Sequence, residues 1–247
     1  MTEMADKPVD PKNQIFDLTL MSNFVHQVVN PLNAVCGTLD NIIRGDVPPG
    51  SVNQRIRACR SQIEYCIELI RNLAFLAEYQ RDPEGYAKSH AAEIAVIPQG
   101  LIDAAQFFQE TARKKKMKIH LTDRDTQFKV HAHRELLRQV FMNLFDNAVK
   151  YGHQSTDVIV NCHIQRSSGD LMLEIINVSD PVPRELWEKI FDPGCRGENA
   201  RQVVATGTGL GLYICKFILS VYKETIEYRG RANGESIFSI RIPGAWV

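Results

Sequence analysis

The chain of 247 residues is long enough for one large domain or two small ones. Its 29 basic and 29 acidic residues give a formal net charge of zero, which argues against a surface that binds nucleic acid or an anionic membrane. The sequence contains no apolar run of about 18 residues, no apolar signal-peptide core and no C-x-x-C pair. We therefore expect a cytoplasmic protein with reduced thiols and no membrane span.

The N-terminal part of the chain predicts two long helices. Apolar residues recur at helical spacing over residues 15–43 and again over 51–79, and the segment G-D-V-P-P-G at 45–50 interrupts them. We expect an all-α helical hairpin at residues 15–80, preceded by an N-terminal tail at 1–14. Because each helix carries more apolar positions than the other can cover, two copies are expected to form a dimeric four-helix bundle.

His26 lies within the first predicted helix, in the run F-V-H-Q-V-V-N-P-L. A lone histidine among apolar residues is most often a partly buried side chain with no chemical role. Pro31 argues against that interpretation, because a proline inside a long helix costs about 3 kcal/mol and forces a kink. Asn30 lies one turn after His26 on the same face. We interpret His26 as a functional residue.

The rest of the chain predicts a linker and a mixed domain. Residues 81–93 are polar and contain proline and glycine, which is typical of a linker. The order of patterns in residues 94–247 predicts an α/β (α+β) two-layer sandwich with a mixed, largely antiparallel sheet. The predicted helices are 98–115, 133–151, 184–190 and 210–222, and the predicted strands are 118–121, 128–131, 157–165, 171–178, 225–229 and 236–242.

Two asparagines share one face of the helix predicted at 133–151. Asn143 and Asn147 are four residues apart, so their side chains lie one above the other. Amide oxygens suit a hard cation such as Mg²⁺, which commonly bridges substrate phosphates. Lys150, one turn beyond Asn147, could supply a positive charge for a phosphate. Taken alone, the same residues fit a solvated polar face on an amphipathic helix equally well.

A glycine-rich loop, G-T-G-L-G-L at 207–212, precedes an apolar helix. Glycines let backbone amides approach a phosphate, and a helix N-terminus offers unpaired N–H donors. The loop has neither the G-K-[ST] of a P-loop nor the strand-first context of a dinucleotide fingerprint. A glycine turn before a core helix is the structural alternative. The loop and the asparagine helix together indicate a nucleotide site more specifically than either does alone.

Four motifs together resemble those of sensor histidine kinases. N-L-F-D-N-A-V-K-Y at 143–151 resembles their N box, I-F-D-P at 190–193 their F box, and G-T-G-L-G-L their second glycine box. The run around His26 resembles their H box. The resemblance extends over residues 15–242. It implies a dimerisation and histidine-phosphotransfer hairpin followed by an ATP-binding domain of the gyrase–chaperone–kinase superfamily.

The resemblance also implies residue roles, with ATP and Mg²⁺ as cofactors. His26 would be the phosphoacceptor, Asn147 would ligate Mg²⁺, and Asn143 would support it near the phosphates. Lys150 would contact phosphate, and Tyr151 would lie near the nucleotide. The lid around the triphosphate would include Gly207, Thr208, Gly209, Leu210 and Gly211, with Arg196 reaching the γ-phosphate.

The first glycine box departs from the family pattern D-x-G-x-G. Asn177 occupies the position of the adenine-binding aspartate, and Ser179 and Pro181 replace both glycines. An amide oxygen still accepts a hydrogen bond from an exocyclic amine, but without the charge assistance of a carboxylate. We expect weakened adenine binding. Asp180 is the rival candidate, although strand alternation would point it differently from Asn177.

Gln27 is the second departure, because most relatives carry Glu or Asp after the histidine. Gln can hold the imidazole by a hydrogen bond but cannot take its proton, so phosphorylation should be slower by roughly 10²–10⁴-fold unless another group substitutes. Asn30 stands where the family orients the water that dephosphorylates the partner's aspartate. Gln27 and Asn30 therefore join His26 as candidate catalytic residues, and phosphatase capacity is expected.

The leading hypothesis is an ATP-dependent protein-histidine kinase that transfers a phosphoryl group from His26 to an aspartate of a response regulator receiver domain. One alternative is a phosphotransfer or scaffold protein with weak or lost ATP binding. The other is an ATP hydrolase of the gyrase or chaperone kind, which is disfavoured because Asn143 replaces its water-activating glutamate. About fourteen residues precede the first helix, so we expect any sensor to lie on a longer chain or on a separate protein.

Overall fold

The computed structural model describes residues 18–82, 85–86, 89, 91–193, 195 and 209–247. The chain divides into two compact units, Met1–Leu73 and Ala74–Val247. The first is helical, and the second combines helices with a mixed sheet, so the predicted fold class is confirmed. The predicted tail lies outside the described residues. Within the described ranges, no helix is both long and apolar enough to cross a membrane.

The first unit consists of two antiparallel helices, α1 (Leu18–Arg44) and α2 (Pro49–Arg81). The end of α2, from Ala74 onward, belongs to the second unit. α1 ends at Arg44 and is followed by Gly45, which has a φ of 79° that favours glycine. Its N–H donates to the carbonyl of Ile42 (3.1 Å), and the N–H of Asp46 donates to that of Asn41 (2.9 Å). This pattern satisfies carbonyls at the helix end and explains why the chain turns here.

The interior of the hairpin is small, and much apolar surface remains outside it. Cys59 and Cys66 are buried, and their thiols lie 4.0 Å and 3.6 Å from the carbonyls of Val35 and Val28. Among the side chains that the structure describes in these two helices, nine apolar ones are more than a third exposed. They are Val25, Val29, Leu32, Leu39, Ile43, Ile56, Ile63, Ile67 and Ile70.

The described residues of the second unit form seven strands, three further α-helices and two 3₁₀ turns. In chain order they are β1 (Glu93–Val96), α3 (Ile97–Lys114), β2 (Ile119–Leu121), β3 (Lys129–Ala132), α4 (Arg134–Tyr151), β4 (Val158–Ile164), β5 (Leu171–Val178), the turns Arg184–Leu186 and Lys189–Phe191, α5 (Gly211–Val221), β6 (Thr225–Gly230) and β7 (Glu235–Ile242). The main sheet has the order β2-β4-β5-β7-β6, and only β2–β4 is parallel. β1 and β3 form a separate antiparallel pair.

Alternating side chains of the main sheet face the helices. Leu173 of β5 lies opposite Ile240 of β7, which lies opposite Ile226 of β6, and both Leu173 and Ile240 are fully buried. α3 and α5 both pack against α4. α4 is therefore the central helix of its layer, because it packs against a helix on each side and against β5 of the sheet. A rigid central helix is a good scaffold for a functional site.

Two segments differ from the sequence-based expectation. Residues 184–190 form two 3₁₀ turns where one short helix was predicted. The indole N–H of Trp187, between the two turns, donates to the carbonyl of Val182 (2.9 Å). The predicted linker also contains an anchor. Tyr86 is buried and packs edge-on against Phe75, with ring centroids 5.3 Å apart.

Candidate functional site

α4 carries the predicted asparagines along the border of its buried stripe. The stripe recurs at helical spacing and fills the core: Leu136, Leu137, Val140, Phe141, Leu144, Phe145 and Ala148 are buried. Asn143, Asn147, Lys150 and Tyr151 are only half-buried. The ammonium of Lys150 lies 5.6 Å from the centre of the Tyr151 ring. A cation and polar groups thus follow one another along a single edge of the helix.

The structure brings Asn143 against the start of α5. A Cβ atom added to Gly211 would lie 3.3 Å from Asn143 Oδ1, so any side chain there would crowd the amide. Asn143 Nδ2 is buried and has no oxygen or nitrogen acceptor among the described residues. Its neighbour is the Cys215 thiol, whose pKa is raised by burial and partly lowered by hydrogen bonding from the Asn143 side chain; sulfur is only a weak acceptor. Leaving a buried donor unpaired costs about 1–3 kcal/mol, so such a donor indicates a missing acceptor. A phosphate oxygen is an acceptor of the right chemistry.

Asp146, between the two asparagines, was not singled out by the sequence. It is half-buried by its exposed area. Burial raises the pKa of its carboxyl, and the charge of Lys150, one turn on, opposes that shift. The carboxyl and the ammonium therefore partly neutralise each other on this edge of α4.

The degenerate first glycine box meets the end of α4. The N–H of His153, just after the helix, donates to the carbonyl of Val178 (2.8 Å). Asn177 is 3% exposed, whereas Asp180 is exposed and pairs with the His153 ring at 3.1 Å. The side chains of Asn177 and Asp180 thus differ in burial, in line with strand alternation. The two motifs, 26 positions apart between Asn177 and Tyr151, are joined by backbone hydrogen bonding.

Ser179, at the position of the first missing glycine, belongs to a buried hydroxyl network. Its Oγ lies 2.7 Å from Ser236 Oγ, which lies 2.8 Å from the hydroxyl of Tyr228. All three hydroxyls therefore have partners. The extra side chain introduced by the Gly-to-Ser departure is accommodated by neighbours that bond it, and it does not disrupt the strand end.

The F-box residues pack against α5. Ile190 and Phe191 are buried, and the Phe191 ring lies 6.5 Å from that of Phe238. The ammonium of Lys216 on α5 lies 5.9 Å from the centre of the Phe191 ring. In the glycine loop, Gly209 has a φ of 66° and Leu210 is buried. Gly207, Thr208 and Arg196 lie outside the described residues.

Comparison with known proteins identifies this unit. Residues 132–245 match the model of the family described as histidine kinase-, DNA gyrase B-, and HSP90-like ATPase. These residues form a domain of that family. The ATPase-family domain thus contains the asparagine helix, the altered first glycine box, the F box and the glycine loop.

Similar proteins are named histidine kinases, which confirms the resemblance seen in the sequence. The chain is 23% identical over 247 residues to the sensor protein KdpD of Clostridium acetobutylicum, covering 98% of this chain and 26% of KdpD. The structure of the Acinetobacter baumannii histidine kinase AdeS is similar at a TM-score of 0.59 and 22% identity, over 88% of this chain and 97% of the solved chain. Histidine kinase ThkA, solved in complex with response regulator TrrA, is similar at a TM-score of 0.57 and 19% identity, over 92% of this chain and 61% of that chain.

The chain spans about a quarter to a half of the length of the curated relatives it matches. The structural likeness establishes the fold that these proteins share with the chain.

The remaining candidate residues lie on α1, in the other unit. His26 and Asn30 are exposed, whereas Gln27 is 9% exposed. Gln27 Oε1 is buried and has no hydrogen-bond partner in the part of the chain that the structure describes. The exposed imidazole is accessible to a phosphoryl donor, and Asn30 follows it on the outer face.

Two parts of the site were missed by sequence reasoning. The His153–Asp180 pair joins residues 27 positions apart, and no local pattern marks it. The Ser179–Ser236–Tyr228 network had one sequence signal, the serine in place of a glycine. Among the described residues, no group of three or more His, Cys, Asp and Glu side chains could hold a metal ion.

Proposed function

We propose that the chain is an ATP-dependent protein-histidine kinase that phosphorylates His26. The observation that carries this proposal is Asn143 Nδ2, a buried donor whose neighbour is the weakly accepting Cys215 thiol, beside the glycine at the start of α5. A donor without a strong acceptor and a cradle without a Cβ fit a phosphate group. Asn147 would ligate Mg²⁺, which when bound neutralises charge on the phosphates.

The reaction requires positioning more than covalent help from the protein. A neutral imidazole nitrogen of His26 attacks the γ-phosphorus, a nitrogen–phosphorus bond forms, and the bond to the leaving ADP oxygen breaks. Lys150 neutralises charge that develops on the phosphates. The imidazole proton passes to solvent, because Gln27 is not a base near neutral pH. Asn143 stands where a hydrolase would carry a water-activating glutamate, so direct hydrolysis is disfavoured.

Adenine recognition would rest on Asn177. Its side chain is buried at the end of β5, where its amide oxygen can accept from an exocyclic amine. The Ser179 network keeps this strand end ordered without the family's glycines. We expect weaker binding than a carboxylate gives, because the hydrogen bond lacks charge assistance.

The partners would be a second copy of the chain and a response regulator. The exposed apolar residues of α1 and α2 fit burial in a dimeric four-helix bundle. The ThkA–TrrA complex supports a receiver domain as the acceptor. Transfer would run from phosphorylated His26 to an aspartate of that domain, and Asn30 would orient the water for phosphatase activity.

Labelling with γ-³²P ATP and Mg²⁺ tests this proposal. We expect an acid-labile, alkali-stable label that is lost in His26→Ala and strongly reduced in Asn147→Ala. His163→Ala is the matched control, because His163 is an exposed histidine on β4. Label that survives His26→Ala contradicts the proposal. If nucleotide does not bind but His26 accepts phosphate from a phosphorylated partner, the chain is a phosphotransfer or scaffold protein.

A further inference from the structure

Lys115 lies in a basic run that belongs to none of the four motifs. The run R-K-K-K-M-K at 113–118 links α3 to β2. Arg113, Lys114 and Lys116 are exposed, as a solvated charge run would be, but Lys115 is half-buried. Burial lowers the pKa of its ammonium. One lysine of the run therefore has a different environment from its neighbours.

The Lys115 ammonium binds the C-terminal end of α4. Its Nζ donates to the carbonyls of Val149 (2.9 Å), Lys150 (2.7 Å) and Gly152 (3.2 Å). Carbonyls in the last turn of a helix have no partner within the helix, and the helix dipole places partial negative charge there. All three hydrogen bonds of an ammonium group are used on this one helix end.

The backbone around Lys115 reinforces this contact. The carbonyl of Lys115 accepts from the N–H of Ser155 (3.0 Å), so the chain is tied to both the end of α4 and the loop after it. Gly152 has no room for a side chain, because a Cβ there would lie 2.5 Å from Met117 Cε and 2.5 Å from the carbonyl of Ala148. The end of α4 is thus held closely from one side by residues 115–117.

We propose that Lys115 is a positioning residue for the nucleotide site: it fixes the last turn of α4 and so the directions of Lys150 and Tyr151. This inference rests on the proposed function, because those two side chains are the ones assigned to phosphate and nucleotide. Lys115 binds the carbonyl of Lys150 itself, so loss of the ammonium frees the backbone that carries the phosphate contact. Lys115 acts through α4 and touches no substrate.

Nucleotide affinity of the full chain tests the inference. In Lys115→Met, the dissociation constant for Mg·ATP is expected to rise about tenfold, because the last turn of α4 loses its cation and its fixed geometry. The control is Lys114→Met, whose exposed ammonium lies 3.9 Å from Glu110 on the same helix; its affinity should equal that of the wild type. Lys115→Arg keeps the charge and should stay within about threefold of the wild type.

Thermal unfolding separates positioning from simple stabilisation. All affinities are measured where circular dichroism shows each variant folded. A Lys115→Met protein that melts at a lower temperature but binds Mg·ATP as the wild type does overturns the inference, while leaving the proposed function intact. A wild type that binds no nucleotide contradicts the proposed function and this inference with it. If Lys115→Met does not fold, the same comparison with Lys115→Gln, which keeps an uncharged donor, decides the outcome.

Discussion

Glu224 is buried without a partner, and its replacement should stabilise the protein at neutral and alkaline pH. The residue follows α5 and is 4% exposed; neither carboxyl oxygen has a hydrogen-bond partner in the described parts of the chain. Its N–H donates to the carbonyl of Leu219 (2.9 Å), so the backbone cannot easily swing the side chain outward. Burial raises the pKa of the Glu224 carboxyl to about 8. Burial, and secondarily the charge of Glu224, raises the pKa of Tyr222 to about 12.

The pKa of Glu224 determines the sign and the pH window. Its ordinary value is 4.5, so between pH 4.5 and about 8 the folded state holds a proton that the unfolded state has released. Stability therefore falls as pH rises through this window. At 1.36 kcal/mol per pH unit, a rise from 4.5 to about 8 corresponds to a cost of about 5 kcal/mol above pH 8. Below pH 4.5 the carboxyl is neutral in both states and this cost is absent.

Urea unfolding at pH 5, 7 and 9 measures the effect. Glu224→Leu, relative to the wild type, should gain several kcal/mol more at pH 9 than at pH 5, and Glu224→Gln should show the same trend. Glu227→Gln is the matched control, because Glu227 is exposed on β6 and pairs with Arg229 at the surface. Its difference from the wild type should vary little with pH. A constant difference between Glu224→Leu and the wild type from pH 5 to 9 would refute the reasoning.

Three further substitutions probe the site. Gly211→Ala places a Cβ 3.3 Å from Asn143 Oδ1, so the dissociation constant for Mg·ATP should rise about tenfold by calorimetry; an unchanged value would count against this contact. Asn177→Asp should tighten ATP binding about threefold to tenfold while lowering the melting temperature of the nucleotide-free protein, and weaker binding would remove Asn177 from the adenine pocket. Gln27→Glu should raise the initial rate of autophosphorylation at least about tenfold, because it supplies a general base beside His26. An unchanged rate would show that the missing carboxylate at position 27 does not limit the reaction.

Periodicity was sufficient to predict the large elements. α4 spans Arg134–Tyr151 where 133–151 was predicted, and β5 spans 171–178 as predicted, because each has a long, regular apolar pattern. β1 was not anticipated. Its four residues, E-I-A-V, carry too short a pattern, and their partner strand β3 lies more than thirty residues further on. Short strands depend on pairing that no local window contains.

The candidate site was predictable as a set of motifs and less so as a geometry. The sequence marked Asn143 and Gly211 separately, but their approach follows from the packing of α5 on α4. The sequence did not distinguish Lys115 from its neighbours, because four consecutive basic residues indicate a solvent-exposed segment. Lys115 differs from the neighbouring basic residues because it alone binds the end of α4, and the position of that helix end depends on the fold. The partnerless state of Glu224 likewise depends on residues that surround it only in the folded chain.

The position of the phosphoryl group tests the central claim most directly. The full chain is incubated with Mg·ATP, digested under alkaline conditions that preserve phosphohistidine, and sequenced by mass spectrometry. The account predicts one phosphorylated residue, His26, and strongly reduced phosphorylation of the Asn147→Ala variant. A phosphoryl group on any other residue, or on His26 independently of Asn147, would contradict it.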